Sequence, residues 1–180
     1  EVEHGDSIGN KGVIYSGDVQ WMTAGSGIVH QERPNAFEDE MKGFQLWVNL
    51  PAENKMMDPR YRGLTADEIP EAEIADGVTA KIISGSAGET SGPVTDIVVD
   101  ISYMDVTMDG GSSYSFPVQD GYTAFAFAFE GSGSFCGDPA KTVESGHLVL
   151  FHRKGDSISV SASDEGVRFL MASGKPIEEP

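Results

Sequence analysis

The sequence predicts an all-β protein, and three observations carry that reading. Glycine is frequent, at 22 of 180 residues, and apolar residues come as short runs between turn signals rather than with helical period. Residues 44–50 alternate Phe44, Leu46, Val48 and Leu50 with Gln45, Trp47 and Asn49, a strand with one buried face closed by Pro51. Residues 122–131 alternate aromatic rings with small side chains, as the interiors of small β-barrels often do. A chain of 180 residues makes one large or two small domains and buries a substantial core.

Charge and cysteine usage narrow the class of partner. There are 12 Lys and Arg against 29 Asp and Glu, a net charge of −17. A phosphate backbone repels such a chain, so no direct nucleic-acid binding is expected. Cys136 is the only cysteine, which rules out an intrachain disulfide and makes a cytoplasmic location the default, nuclear as well in a eukaryote. No run is apolar enough to span a membrane and no signal peptide is visible, so no membrane association is expected. Glu1 is not an initiator Met and the chain stops abruptly at Pro180, which points to a sequence trimmed at both ends.

Taken in order, residues 4–7 and 9–12 read as turns and Val13, Ile14 and Tyr15 as extended chain. Residues 17–32 read as a strand (Val19, Trp21, Met22), a flexible Ala24-Gly25-Ser26-Gly27 bend and a second strand ending on His30-x-Glu32. Pro34-Asn35 with Glu38, Asp39 and Glu40 makes a solvated loop before the strand over 44–50. Residues 52–76 are polar; Thr65-Ala66-Asp67-Glu68 is suited to cap one helical turn, and Met56-Met57 is expected to pack. Strands are then expected over 78–83, 97–101, 103–108, 114–118, 122–131, 148–151, 157–160 and 167–171, with a hairpin turn at Gly110-Gly111.

The chemistry concentrates at His30 and Glu32. Residues two apart in a strand point to the same side. The imidazole and carboxylate would therefore project together, a pair suited to a divalent transition metal with open positions. The spacing is common, and by itself it more often describes a surface histidine beside a solvated glutamate.

The surrounding residues change that balance. Gly17-Asp18-Val19-Gln20-Trp21-Met22-Thr23-Ala24-Gly25-x-Gly27-Ile28-x-His30-x-Glu32 is followed by Gln45-Leu46-Trp47-Val48-Asn49-Leu50-Pro51 and Met57-x-Pro59-x-Tyr61. Ile69-Pro70, Gly174-Lys175-Pro176 and Glu179-Pro180 come after them. In this order the phrases resemble the pirin family, a branch of the cupins, over essentially the whole chain. The resemblance implies two stacked cupin-type β-barrels (a bicupin), with the N-terminal barrel incomplete in this chain. Residues 1–51 would be the part of the N-terminal cupin barrel that carries the metal-site motif. Residues 52–77 would be the inter-barrel connection, and 78–180 a C-terminal cupin-like barrel without metal ligands.

The resemblance also implies one iron (Fe2+) in the N-terminal barrel, held by three His and one Glu. His30 and Glu32 match the last His and the Glu of that set. The other two His are expected upstream of residue 1, so the iron site would be incomplete in this chain, and His4 would stay outside the ligand set. Glu32 would serve as ligand and as catalytic base. In the second barrel, Glu130-Gly131 looks like a remnant of a cupin motif. His147 and His152, five apart, would face opposite sides of one strand and are expected to be structural or exposed, and Cys136 inert. The implied function is a quercetin (flavonol) 2,3-dioxygenase acting on a flavonol-like small molecule. The alternative is a non-enzymatic, metal-dependent regulator that binds a transcription factor or a metabolic enzyme, and the acidic surface suits a basic protein partner. A monomer is expected.

Overall fold

The structure, a computed structural model, describes residues 1–35, 41–138 and 140–180. The expected loop residues Glu38, Asp39 and Glu40 lie outside the described residues. The chain divides into two compact units, residues 1–68 with 177–180 and residues 69–176. Among the described residues all regular structure is β apart from two short 3-10 turns, and no helix is long and apolar enough to cross a membrane.

The first unit contains β1 (Val2–Asp6), β2 (Lys11–Ile14), β3 (Val19–Thr23), β4 (His30–Pro34) and β5 (Arg60–Leu64). They form an antiparallel sheet of order β2-β1-β4 and a two-stranded β3-β5 sheet. Among the described residues these are two open sheets rather than a closed barrel, in line with the incomplete N-terminal barrel expected above. Short polar side chains tie the connections. Asp6 Oδ1 accepts the backbone N–H groups of Ile8 (3.0 Å) and Asn10 (2.9 Å), and Oδ2 accepts Asn10 Nδ2 (2.7 Å). The Thr65 hydroxyl and N–H both donate to Glu68 Oε2, at 2.9 and 2.8 Å, around the turn Ala66–Glu68. Asp18 Oδ1 accepts the Ala66 N–H at 2.9 Å, which fastens that turn to the start of β3. The tail 177–180 belongs here because Glu179 Oε2 accepts the Ala52 N–H at 2.6 Å, at the head of the turn Ala52–Asn54.

Three expectations fail in this unit. Residues 4–7 and 9–12 are not turns: His4, Gly5 and Asp6 end β1, Lys11 and Gly12 begin β2, and the turn falls at 7–10, where Asp6 receives its hydrogen bonds. Residues 44–50 form no strand. Alternation alone makes no ladder, and among the described residues no strand pairs with this segment, whose Phe44, Trp47 and Val48 are exposed. Met56 is 75% exposed rather than packed.

The second unit contains β6 (Glu71–Ala75), β7 (Val78–Ser84), the short β8 (Ser86–Ala87) and β9 (Thr90–Ser91), β10 (Ile101–Met108) and β11 (Ser113–Pro117). It continues with β12 (Thr123–Ser134), β13 (Thr142–Glu144), β14 (His147–Leu150) and β15 (Ser157–Gly174). Its main sheet runs β13-β12-β15-β10-β7-β6, with β11 on β15 and β14 on β12. Residues 52–77, expected as a connection, thus supply β5 to the first unit and β6 to the second. The two strands expected over 157–160 and 167–171 are one 18-residue strand. Its first part pairs with β11 and its last with β10, so Gly110-Gly111 turns the chain without making a β10–β11 hairpin. Residues 97–100 lie outside any strand, and β10 starts at Ile101.

The alternation in β12 puts its small residues inside: Ala124, Ala126 and Ala128 are buried. Ala128 lies opposite Phe169 and Ala126 opposite Met171, and on the far side of β15 these two face Val106 and Met104. Small positions on one strand therefore receive large side chains from the next, with Phe135 and Phe116 edge-on to Phe169 at 5.0 and 5.7 Å. Close backbone contact requires glycine at 131: its φ is +65°, and a Cβ there would lie 2.2 Å from the Gly166 carbonyl oxygen. On the opposite face, Arg168 meets Asp105 through two bonds of 3.0 and 2.7 Å, approaches Glu130 at 3.7 Å, and lies 5.0 Å from the Phe129 ring. Ala128 leaves no room for a larger group. Ala128→Leu should therefore destabilise this unit by about 1–3 kcal/mol, read from the midpoint of urea unfolding.

Candidate metal centre

The pairing of β1 with β4 assembles the polar cluster. Residues directly opposite in an antiparallel pair share a face, as do residues two apart in one strand. The register sets His4 opposite Glu32 and Asp6 opposite His30. His4, Asp6, His30 and Glu32 therefore rise from one face of the β2-β1-β4 sheet. The β3-β5 sheet supplies an opposing wall, where Tyr61 stacks on His4 with ring centroids 4.8 Å apart and 10° between planes. Tyr61 Oη accepts Gln20 Nε2 at 3.0 Å.

The His4 and Asp6 side chains are fully buried, while those of His30 and Glu32 are 27% and 41% exposed, so the cluster opens toward solvent on the β4 side. Ligand atoms of His4, His30 and Glu32 all lie within 4.8 Å of one another. Both His4 nitrogens and His30 Nδ1 are buried without a hydrogen-bond partner. His4 Nε2 stands 3.7 Å from Asp6 Oδ2, and His30 Nδ1 stands 3.9 Å from Glu32 Oε1. Both separations are too long for hydrogen bonds but short enough for charge attraction.

Such a donor set fits a divalent transition metal. Buried polar atoms ordinarily find partners, and here three ring nitrogens lack them beside a carboxylate. Adjacent donors on one ion stand about 3.0–3.4 Å apart for bonds of about 2.1 Å, so these atoms, already within 4.8 Å of one another, reach ligand spacing by closing in through side-chain rotation. Asp6 faces His4 as outer carboxylates face metal-bound imidazoles, an arrangement that fixes ring orientation. Burial pushes the Asp6 carboxyl up, but the Asn10 side chain, the backbone N–H groups of Asn10 and Ile8, and nearby His4 outweigh it and hold it below its usual range. Burial raises the Tyr61 phenol; the Gln20 bond opposes that, and the Asp6 and Glu32 carboxylates add to it.

The structure thus brings the two sequence-predicted residues, His30 and Glu32, together and adds His4, which was expected outside the ligand set. The sequence contained the signal: His4-x-Asp6 has the same spacing as His30-x-Glu32. Reading residues 4–7 as a turn hid it. Tyr61 and Gln20 were visible only as parts of longer phrases. In the second unit His147 and His152 are exposed, and His147 Nδ1 lies 3.1 Å from the Glu144 carbonyl oxygen. Glu130 is engaged with Arg168, and Cys136 is exposed.

Comparison with known proteins places the chain among relatives. The family profile described as Pirin matches residues 1–48, and that described as Pirin C-terminal cupin domain matches residues 103–180. A "Pirin-like protein" of Solanum lycopersicum is 41% identical over 98% of this chain and 60% of its own length. The chain thus spans about three fifths of that relative. A crystal structure from Geobacillus kaustophilus superposes with a TM-score of 0.86 at 33% identity, covering 99% of this chain and 72% of that one. A crystal structure titled quercetin 2,3-dioxygenase, from Acinetobacter baumannii, superposes with a TM-score of 0.84 at 29% identity over 99% and 62%.

The bend that delivers His30 requires glycine at 25. Gly25 has φ +53°, a Cβ there would sit 2.2 Å from the Met57 carbonyl oxygen, and that oxygen accepts the Ser26 N–H at 2.8 Å. Gly25→Val should cost about 1–3 kcal/mol of stability and lower metal affinity by displacing β4, checked by denaturant unfolding and metal titration of the same sample. Asp6 gives a pH signature. Its folded pKa lies below the unfolded value of about 3.9, so its stabilisation is present above that pH and is lost as pH falls through the folded value. Asp6→Asn should flatten the acid limb of the stability curve as pH falls below the unfolded carboxylate value of about 3.9, measured by unfolding at stepped pH.

Proposed function

Because this chain belongs to the pirin family, we propose that His30 and Glu32 hold a divalent metal, iron(II) by the family resemblance, and that the site carries out flavonol-type dioxygenation. The observation that carries this reading is the convergence of His4, His30 and Glu32 with three unpartnered ring nitrogens. Two imidazoles and one carboxylate leave coordination positions open, the arrangement that non-haem iron oxygenases use. The similarity to a structure titled quercetin 2,3-dioxygenase supports a hydroxylated substrate with adjacent oxygen atoms. Bound here, the metal would supply Lewis-acid and dioxygen chemistry.

The protein's own residues define the rest. Glu32, the most exposed of the four cluster side chains, is placed to take the proton of an incoming hydroxyl as well as to ligate. His4 is the third donor that this chain presents, clamped between the Asp6 carboxylate and the Tyr61 ring so that its position is set before any ion arrives. The buried side of the cluster excludes water, while the β4 side admits the ligand.

Anaerobic titration with Fe(II) tests the metal site. Binding should be one-to-one, at least about tenfold weaker in His30→Ala and in Glu32→Ala, and unchanged in His147→Ala and His152→Ala. Affinity preserved in both of the first two variants would end the reading. His4→Ala should weaken binding by a similar factor, as expected of a third donor. With quercetin and dioxygen, the iron-loaded protein should release carbon monoxide. Metal binding without turnover would favour the regulatory alternative, in which the loaded protein docks a basic partner.

A further inference from the structure

We propose that Gln20 and Tyr61 form a hydroxyl-recognising subsite beside the metal-ligand cluster, and that the ligand it selects is a planar aromatic molecule bearing a second hydroxyl group. This rests on the reading of the cluster given above. The observation behind it is a polar group with nothing to do: Gln20 Oε1 is buried and has no hydrogen-bond partner, although Gln20 Nε2 is bonded to Tyr61. Exchanging the amide oxygen and nitrogen does not remove the problem. One end of the amide reaches the phenol and the other is left over. A buried amide end without a partner costs about 1–3 kcal/mol, so an unsatisfied one at the wall of a site marks a place for a ligand atom.

Geometry sets what that ligand atom is. The phenol oxygen is the acceptor in its bond with Gln20, which leaves its own proton available to a ligand. A hydroxyl matches the pair, because it can donate to the amide oxygen while accepting from the phenol. The pair is built deliberately. Gly63 lies directly opposite Gln20, and a Cβ at residue 63 would come 3.2 Å from Tyr61 Oη; the missing side chain lets the phenol lie over that position and reach the amide. The distance from the metal donors also matters. Tyr61 stacks on His4, so the Gln20 amide stands one phenol ring away from the cluster. One ligand oxygen at the metal donors and another at Gln20–Tyr61 are thus separated by about the width of a phenol ring, a span that the body of an aromatic molecule covers.

The test compares two probes under anaerobic conditions, where no turnover occurs. Quercetin and 3-hydroxyflavone share the chelating oxygens, but only quercetin carries additional hydroxyls. Affinities come from ligand fluorescence or calorimetry on the full chain loaded with Fe(II), and metal affinity is titrated separately. The unaltered protein should prefer quercetin by at least about tenfold. That preference should fall to about twofold or less in Gln20→Leu and in Tyr61→Phe, with metal affinity unchanged. Tyr61→Phe keeps the ring stacked on His4 and so guards against loss of the fold. A preference that survives in both variants overturns the subsite and leaves the metal reading standing. If Fe(II) fails to bind the unaltered protein, the two probes are compared on the metal-free chain, and a preference present there but lost in both variants overturns the metal reading and leaves the subsite standing.

Discussion

Everything at the candidate metal centre depends on the register between β1 and β4. A strand's side chains alternate with a period of two, so a slip of one residue would turn His4 and Asp6 to the opposite face and scatter the cluster. The ladder is pinned at both ends. The Ser7 N–H donates to the Val29 carbonyl (2.8 Å), its hydroxyl accepts the Val29 N–H (3.0 Å), and at the other end Asn35 N–H donates to the Glu1 carbonyl (3.1 Å). Each such bond contributes roughly 0.5–1.5 kcal/mol, but their combined effect is to make one register far better than its neighbours. Asp6 does two jobs with one carboxylate: it closes the turn that follows β1 and presents an oxygen to His4.

The two units treat their charges in opposite ways. In the second, Arg168 is shared between Asp105 and Glu130, and Lys81 lies 3.5 Å from Glu71, so opposite charges alternate across the sheet. In the first, two carboxylates converge with two imidazoles in the cluster. Within a chain of net charge −17, that spot would favour a cation, and ring nitrogens would favour a transition metal over a hard ion held by oxygen alone. A surface that satisfies its own charges is structural; one that leaves donors waiting is built for something else.

Much of the β architecture was legible in local pattern. The bend at Gly25, the strand at 78–84 and the alternation of β12 follow from residue type and spacing. What escaped was set by partners distant in sequence. The segment over 44–50 has the alternation of a strand, but a strand is defined by its neighbour, and none pairs with it among the described residues. Gly110-Gly111 looks like a hairpin, yet both flanking strands prefer β15. At the site, His30 and Glu32 could be found because they share a strand. His4 could not be joined to them, because it lies 26 positions before His30 and only the β1–β4 register brings the two together.

The long final strand has a kinetic consequence. β15 pairs with β10, β11 and β12 along its length, and β10 lies some sixty residues earlier in sequence. The main sheet of the second unit therefore has no middle until residues 157–174 are in place: β10 and β12 meet only through the strand made last. Such non-local pairing slows folding, because loop-closure entropy is spent before the contacts that reward it can form. During synthesis, the alanine stripe of β12 and the Val106 side of β10 must wait, with apolar surface uncovered, for their shared partner to leave the ribosome. Chaperone demand in this protein should thus be concentrated in the interval between the appearance of β10 and the arrival of Phe169.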